Sequence, residues 1–455
     1  MIGIGIISLI VFIGLIIIWN AFLKRSAGES MFIGYLGTLI VCIIGGGDIV
    51  GLTKESFVDA STESTLFAVV AFCFMAYMMQ KTGIIVRLVH ILNSIFGRLA
   101  GGAGYVSTMA SALMGMVAGS GSGNAAVSGA ITIPWMKESG FSPELSTTIV
   151  AGNASLGMSI PPSNALFTLL AMPVIANAVQ ADALYIANFC AGMWVLLIRL
   201  ILVFYYTRRD HIQKASNIRP LKETMKEGGK SISVFLGILI PLFLTTGPLA
   251  DFLKGKEYLG KGVGAVNLIL WIPICLTIVT LIEGRKHLPR SFKGWTGLFR
   301  GCLHSCSNVG GAMFFAYTGA SIMTTMGLQK EMEVVFSHLQ NLGVPVIIML
   351  LLIGIIIMVL AGPLTSVATI VTAGSVCFTA LTAMGVNPLL ALSAIIVFAA
   401  TEGCTPPASA PLYVAAGIAD VENSNTCFKP LILHYAGTSL IVGLLIGVGI
   451  LPIIT

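Results

Sequence analysis

Two proline pairs, Pro161-Pro162 and Pro406-Pro407, lie 245 positions apart (406 minus 161) in a chain of 455 residues. The same offset of 245 pairs Gly129 with Gly374, Gly140 with Gly385 and Pro143 with Pro388, with no gap. Each half also carries small polar residues ahead of its proline pair: Gly119-Ser120-Gly121-Ser122-Gly123-Asn124 in the first, Ala361-Gly362-Pro363-Leu364-Thr365-Ser366 in the second. Such duplication limits the chain to two copies of one structural unit. Repeated hydrophobic halves with small polar residues and a helix-breaking pair point to the solute site of a secondary transporter.

The rest of the chain is apolar enough for that reading. It is 56% hydrophobic and 10% charged, against roughly 25% charged residues in soluble domains. Apolar runs occupy 2–19, 31–44, 65–79, 184–206, 232–249, 263–282, 302–326, 344–360 and 432–451. A spanning helix needs about 20 residues, so the shorter runs must recruit neighbours or tilt. Residues 2–19 read as a first transmembrane helix, because they lack the basic start and small-residue cleavage site of a signal peptide. Cys42, Cys73, Cys190, Cys275 and Cys377 lie in apolar stretches and the total of nine cysteines is odd, so no disulfide framework is expected. The chain contains neither a Gly-x-x-x-x-Gly-Lys-Ser/Thr loop nor His-Glu-x-x-His. ATP hydrolysis by this chain and zinc proteolysis are therefore not expected.

Charge location sets the expected topology. The basic stretches 208–230 and 285–300 abut membrane runs and read as cytoplasmic by the positive-inside rule, not as nucleic-acid contacts. Counting spans from them puts 24–25 and 81–98 inside, 48–63, 251–261 and 329–341 outside, and the N-terminus outside. The apolar stretch 104–137 is interrupted at 119–124, so each arm is too short to cross alone; it reads as a re-entrant hairpin from the cytoplasmic side. Its counterpart, 346–383, is interrupted at 362–366 and enters from outside. After each comes Gly-x-x-Pro and then an apolar helix broken at the proline pair, over 144–179 and 388–419.

The expected fold is thus an all-α integral membrane protein with two inverted repeats, each holding a hairpin and a discontinuous helix. Residues 1–64 are assigned to N-terminal scaffold helices, 65–183 to the first transport repeat and 184–302 to scaffold helices with basic loops. Residues 303–430 form the second repeat and 431–455 a C-terminal scaffold helix.

Two successive prolines remove donors and free carbonyls of the preceding turn. In a bilayer such groups cost several kcal/mol each unless protein, water or an ion satisfies them. A bound cation is one solution. At the first tip Ser120, Ser122, Asn124 and Ser128, and at the second Thr365, Ser366 and Thr369, supply neutral oxygens. Beside the broken helices lie Ser159, Ser163 and Asn164, with Glu402, Thr405 and Ser409 in the other half. A neutral oxygen cage suits Na⁺ better than a transition metal. The Na⁺ candidates are Ser120, Ser122, Asn124, Thr365, Ser366 and Thr405. The competing reading is close helix packing and hydroxyls bonded back to their own helix; the coincidence of the tip clusters with breaks in both halves favours function.

Glu402, four residues before Pro406, is the leading intramembrane ionisable group. It could bind a cation, a proton or a solute amine, or be a carboxyl neutralised by burial or a helix partner. Arg199 is expected to snorkel or to face the bundle interior. His304, within Cys302-Leu303-His304-Ser305-Cys306, lacks the second ligand pair of a zinc site.

The chain resembles the large membrane subunit of tripartite ATP-independent periplasmic (TRAP) transporters. The resemblance rests on Gly97-Arg98-Leu99-Ala100-Gly101-Gly102, residues 119–124, Ile131-Thr132-Ile133-Pro134-Trp135-Met136, Ile160-Pro161-Pro162-Ser163, Thr405-Pro406-Pro407 and Ala415-Ala416-Gly417-Ile418-Ala419. It covers roughly residues 65–455. It implies a sodium-coupled, elevator-type importer in a bacterial or archaeal cytoplasmic membrane, with no other cofactor. Its partners would be a small four-helix membrane subunit and an extracytoplasmic solute-binding protein, and its solute an organic acid such as a C4-dicarboxylate or sialic acid. By the same resemblance Gly119, Ser120, Ser122, Asn124, Gly362, Thr365, Ser366, Pro161, Pro162, Ser163, Asn164, Gly403, Thr405, Pro406 and Pro407 are ion and solute contacts. Two departures stand out: residues 241–265 lack a Thr-Pro-Thr-Glu run, and Glu402 stands where glycine is expected.

Sequence reasoning therefore favours a non-enzymatic, sodium-coupled importer of a small organic solute. The alternatives are a partner-independent carrier of the wider ion-transporter superfamily, an intramembrane enzyme using Glu402 and His304, and a channel. No nucleophile and base stand at workable spacing for the enzyme.

Overall fold

The computed structural model describes residues 3–19, 23, 25, 27–62, 64–117, 121–170, 172–215, 218–245, 247–254, 268–328, 330–331, 334, 343–362, 364–406 and 409–454. Among these residues every regular element is a helix, and the sole bridge is an isolated pair, Ala100 with Lys214.

The two halves run through the same succession. Gly102–Val117 with Gly121–Glu138 makes the first hairpin, and Val346–Ala361 with Ser366–Ala383 the second. Each hairpin is closed by a glycine at positive φ, +92° at Gly140 and +84° at Gly385. In the first, Phe141 N–H donates to Met136 O at 3.0 Å and Gly140 N–H to Lys137 O at 3.1 Å. In the second, Val386 N–H donates to Leu381 O at 3.1 Å and Gly385 N–H to Thr382 O at 3.0 Å. This is the Schellman closure, and its left-handed residue is glycine because a Cβ is penalised there.

The next helices, Pro143–Asn153 and Pro388–Ala399, start alike. Each has proline in the first turn, where no intrahelical N–H is required. Ser142 Oγ accepts from Leu145 N–H at 3.1 Å and Asn387 Oδ1 from Leu389 N–H at 2.9 Å; these caps are again 245 positions apart. Both helices break at short 3-10 turns, Leu156–Ser159 and Glu402–Cys404, and resume as Asn164–Leu170 and Ala410–Ala419. The Pro161-Pro162 peptide is cis.

The halves interlock. Ala410–Ala419 packs on Gly121–Glu138 and Pro143–Asn153, while Asn164–Leu170 packs on Ser366–Ala383. The far segment of each broken helix therefore lies on the other half's hairpin. Phe167, Ile395, Ile396, Phe398 and Leu412 are buried between these layers.

Other helices frame this unit. Phe292–Thr325 packs on Ala27–Ile44 and Ile49–Thr62, with Phe32 and Phe315 rings 4.8 Å apart and Phe57 and Phe314 5.2 Å apart. Ala181–Arg209 and Gly437–Gly447 both lie against Pro388–Ala399. By length and apolar composition, Ala181–Arg209, Leu221–Thr245, Ser366–Ala383 and Ser424–Gly447 are each able to cross a membrane.

Segments that charge counting assigns only to a side of the membrane are helical: Ile49–Thr62 lies in 48–63 and Ile84–Phe96 in 81–98, and Leu221–Gly228 lies in the expected basic loop 208–230. Charge counting registers Arg87 and Lys81 but not the helical period beneath them. Ile84–Phe96 buries Ile84, Ile85, Leu88, Val89 and Ile91 on one face and lies at 61° to Val70–Lys81. Arg87 Nε donates to Ser231 Oγ at 2.8 Å, and Thr224 Oγ1 to Ser94 Oγ at 2.9 Å, so two basic segments are stitched together. The helix Phe292–Thr325 likewise begins inside the segment 285–300, expected as a loop.

Candidate functional site

The second arms of both hairpins begin at one carboxylate. Glu402 is buried in the 3-10 turn of the second broken helix, and its Oε2 accepts from Gly121 N–H at 3.3 Å, Ser366 N–H at 3.1 Å and Ser366 Oγ at 3.3 Å. Gly121 and Ser366 are the first residues of helices of 18 residues each. A helix N-terminus leaves its first N–H groups unpaired and carries roughly half a positive elementary charge. Two such ends therefore offset one carboxylate. Thr365 Oγ1 accepts from Ala368 N–H at 3.2 Å and caps the second arm.

Carbonyls freed at the breaks are satisfied across elements. Asn124 Nδ2 donates to Ser111 O at 2.8 Å on the first arm of its hairpin and to Ala154 O at 2.6 Å at the first break. Cys404 Sγ lies 3.2 Å from Gly152 O, joining the second break to the first. Two glycines admit this closeness: a Cβ on Gly403 would collide with Ala151 O, and one on Gly157 with the backbone of Gly115 and Met116. Asn188 Nδ2 from Ala181–Arg209 donates to Ser159 O at 3.2 Å.

The expected site residues divide by what they touch. Ser122, Asn124, Ser366, Thr365, Glu402 and Gly403 gather where the second arms start, and Gly362 approaches Thr405, whose Oγ1 would lie 3.0 Å from a Cβ there. Ser128, Ser159, Thr369 and Thr405 instead donate to backbone carbonyls of their own segment, at 2.7, 2.7, 3.0 and 3.3 Å. Ser163 Oγ donates to Met158 O at 2.7 Å and accepts from Leu166 N–H at 3.2 Å, capping Asn164–Leu170. Pro161, Pro162 and Pro406 form the turns of the breaks. Gly119, Ser120 and Pro407 lie outside the described residues, as does the His304 side chain. Among the described residues no group of three His, Cys, Asp or Glu side chains gathers as for a metal.

Several buried polar atoms have no partner. Asn124 Oδ1, both polar atoms of the Asn164 side chain, and Ser409 Oγ are so placed, and so are Ser155 Oγ, Asn153 Oδ1 and Asn188 Oδ1. Asn164 and Ser409 are 245 positions apart and open the far segments of the two broken helices. Sequence reasoning did not single out Ser155, Asn153 or Asn188; their only signal is adjacency to the first break or to an apolar run. Ser155 Oγ lies 2.6 Å from the point a Gly121 Cβ would occupy, and Glu402 Oε1 3.2 Å from the same point.

Arg199 faces the interior. It is 2% exposed, stands over the Tyr435 ring at 4.5 Å and donates through Nη2 to Ser439 Oγ at 2.7 Å. A cavity of about 450 Å³ opens between Ile49–Thr62, Phe292–Thr325 and the second hairpin; Asp59, Thr168, Tyr317, Ser321 and Ser375 line it. Thr168 is one helical turn beyond Asn164 and donates to its carbonyl at 2.7 Å.

Comparison with known proteins gives this arrangement a context. Residues 6–452 match the family described as the tripartite ATP-independent periplasmic transporter, DctM component. The C4-dicarboxylate TRAP transporter large permease protein DctM of Pseudomonas aeruginosa is 23% identical over 85% of this chain and 84% of its own. The sialic acid TRAP transporter permease protein SiaT of Haemophilus influenzae is 27% identical over 52% of this chain and 36% of its own. An uncharacterized protein, YgiK, of Salmonella typhimurium is 31% identical, over 34% of this chain and 35% of its own. The crystal structure of the YdaH transporter of Alcanivorax borkumensis superposes with a TM-score of 0.65, covering 88% of this chain and 87% of that one at 17% identity. That likeness concerns the fold alone. The family and the relatives named by function are transporter permeases, not enzymes.

Proposed function

The chain belongs to the DctM component family of tripartite ATP-independent periplasmic transporters, and from that premise we propose that it is the large membrane subunit of a sodium-coupled importer of a small organic solute. The observation that carries this reading is the meeting of both hairpins at the second helix break: Gly121 and Ser366 on one Glu402 oxygen at 3.3 and 3.1 Å. Tips from two halves that share one buried group can be ordered or released together, which is the coupling that alternating access requires.

In this reading Na⁺ is held by neutral oxygens at the tips and breaks, drawn from Ser120, Ser122, Asn124, Thr365, Ser366 and Thr405. The buried Asn124 Oδ1, which has no partner, supports that assignment. The fit is that of a hard cation with oxygen donors. Solute reaches the tips through the cavity beside Asp59 and Thr168, and Asn164 and Ser409 contact it or the ion. The repeat unit moves as an elevator against a scaffold that includes the N-terminal helices, with the N-terminus outside the cytoplasmic membrane. A small four-helix subunit and a solute-binding protein complete the transporter. The relatives are named for C4-dicarboxylates, isethionate, sialic acid and 2,3-diketo-L-gulonate; these names support an organic-acid solute.

Sodium binding is tested by melting the purified chain in sodium chloride against equal choline chloride. A saturable rise with sodium, reduced by Thr365→Ala and Asn124→Ala, supports the assignment. Equal melting in both salts opposes it.

A further inference from the structure

The place where the hairpin arms begin is an anion site that the protein fills itself. Two helix N-termini and the Ser366 hydroxyl converge on Glu402 Oε2. Gly121 has no side chain, and the space beside its Cα is bounded by Ser155 Oγ and the Glu402 carboxylate. Ser155 is 1% exposed and its hydroxyl has no partner. This second observation is independent of the helix ends: a buried donor is aimed at the same place and left unused.

The two halves differ at one decisive position. The counterpart of Glu402 is Gly157 (402 minus 245), which is packed so tightly on the backbone of Gly115 and Met116 that it admits no side chain. A carboxylate thus enters from one half only, and it serves the N-termini of both. Roughly half a positive charge from each helix end is balanced by one negative charge. A second carboxylate brought to the tips would meet an occupied site and a like charge.

We propose that Glu402 is a resident anion standing where an incoming carboxylate would otherwise be held, so that the solute presents hydroxyl or amide groups, not a carboxylate, to the hairpin tips. The inference rests on the transport reading and narrows its solute class. The groups left for the solute are neutral: Ser155 Oγ, the Asn164 amide and Ser409 Oγ. Any acid group of the solute is held away from the tips. Carboxylate selectivity is then a property of one side chain, and removing it opens the site to small anions.

The full chain is purified in detergent as wild type, Glu402→Gly, Glu402→Ala and Glu402→Gln, the Gly and Ala variants in sodium formate throughout. Melting is followed as sodium formate or sodium succinate replaces equal sodium as chloride. The expected result is a saturable rise in Tm with formate for Glu402→Gly and Glu402→Ala. Their apparent affinity should exceed that of wild type by at least about tenfold, and Ser155→Ala added to either variant should weaken it. Wild type and Glu402→Gln, whose side chains fill the place, should respond to neither anion. A saturable response of wild type to succinate, an equal formate response in Glu402→Gln, or no formate response in the small-residue variants would overturn the proposal. If those variants do not fold even in formate, wild type and Glu402→Gln still decide. The readout needs no gradient and no partner, so a failed rescue leaves the transport reading standing. Absent uptake in vesicles would defeat that reading without touching the rescue.

Discussion

Gly121 and Ser366, 245 positions apart, donate their backbone N–H groups to the same oxygen of Glu402, at 3.3 and 3.1 Å. Equivalent atoms of two repeats thus share one acceptor, as when two hairpins enter from opposite sides and meet midway. The relation makes the tips a single unit rather than two separate loops.

Glu402→Gln keeps the volume and removes the charge. Hydrogen bonds to a charged group contribute about 1.5–3 kcal/mol each, and the helix ends lose their counter-charge. The variant should be destabilised by roughly 1.5–3 kcal/mol. Thermal unfolding in detergent measures it, and an unchanged Tm would mean that the carboxylate does not hold the tips.

Asn124→Ala removes the donor shared by Ser111 O and Ala154 O at 2.8 and 2.6 Å. Two buried carbonyls lose a partner, at a cost of about 1–3 kcal/mol. Asn124→Asp, which keeps the shape but not the N–H donors, should be no better. Full stability in Asn124→Asp would show that the amide is not the clamp.

Gly157→Ala places a methyl group against the backbone of Gly115 and Met116. Backbone cannot rotate aside as a side chain can, so a penalty of at least about 1–3 kcal/mol is expected. Gly417→Ala is the control, since a Cβ there meets nothing within 4 Å. In the helix Ala410–Ala419 that change should stabilise by about 0.5–1 kcal/mol. Equal melting of the two variants would contradict the packing of the first break on its hairpin.

Arg199→Lys retains a charge but loses the planar group over Tyr435 and the fork that reaches Ser439. The substitution should lower Tm, because a buried ammonium is more strongly hydrated when free and has fewer matched acceptors here. A Lys variant as stable as wild type would show that charge alone suffices.

How much of this was legible in the sequence depends on the kind of signal. The hairpins and the broken helices were readable because Gly140, Gly385, Pro143 and Pro388 act on their own backbone, and local backbone constraints repeat at one offset. For 48–63 and 81–98 charge counting gave a side of the membrane and no bounds, so the helices Ile49–Thr62 and Ile84–Phe96 were not delimited. The convergence on Glu402 was not readable. Glu402 could be singled out as a carboxyl within an apolar stretch, but its partners come from residues 281 and 36 positions away, and backbone N–H groups leave no mark in a sequence. Ser155 escaped for a related reason: its approach to Gly121, with Oγ 2.6 Å from where a Cβ would stand, is made only by the fold. Residue type also does not say where a hydroxyl proton goes: Ser128, Thr369 and Thr405 donate to carbonyls of their own segments, which leaves only their oxygen lone pairs for a cation.

The most direct measurement is uptake into liposomes holding this chain and its small membrane subunit, with the binding protein outside carrying the solute that co-purifies with it. The account predicts accumulation only with an inward sodium gradient and only with the binding protein, reduced severalfold by Thr365→Ala and Asn124→Ala. Accumulation that ignores the sodium gradient, or proceeds without the binding protein, would contradict it.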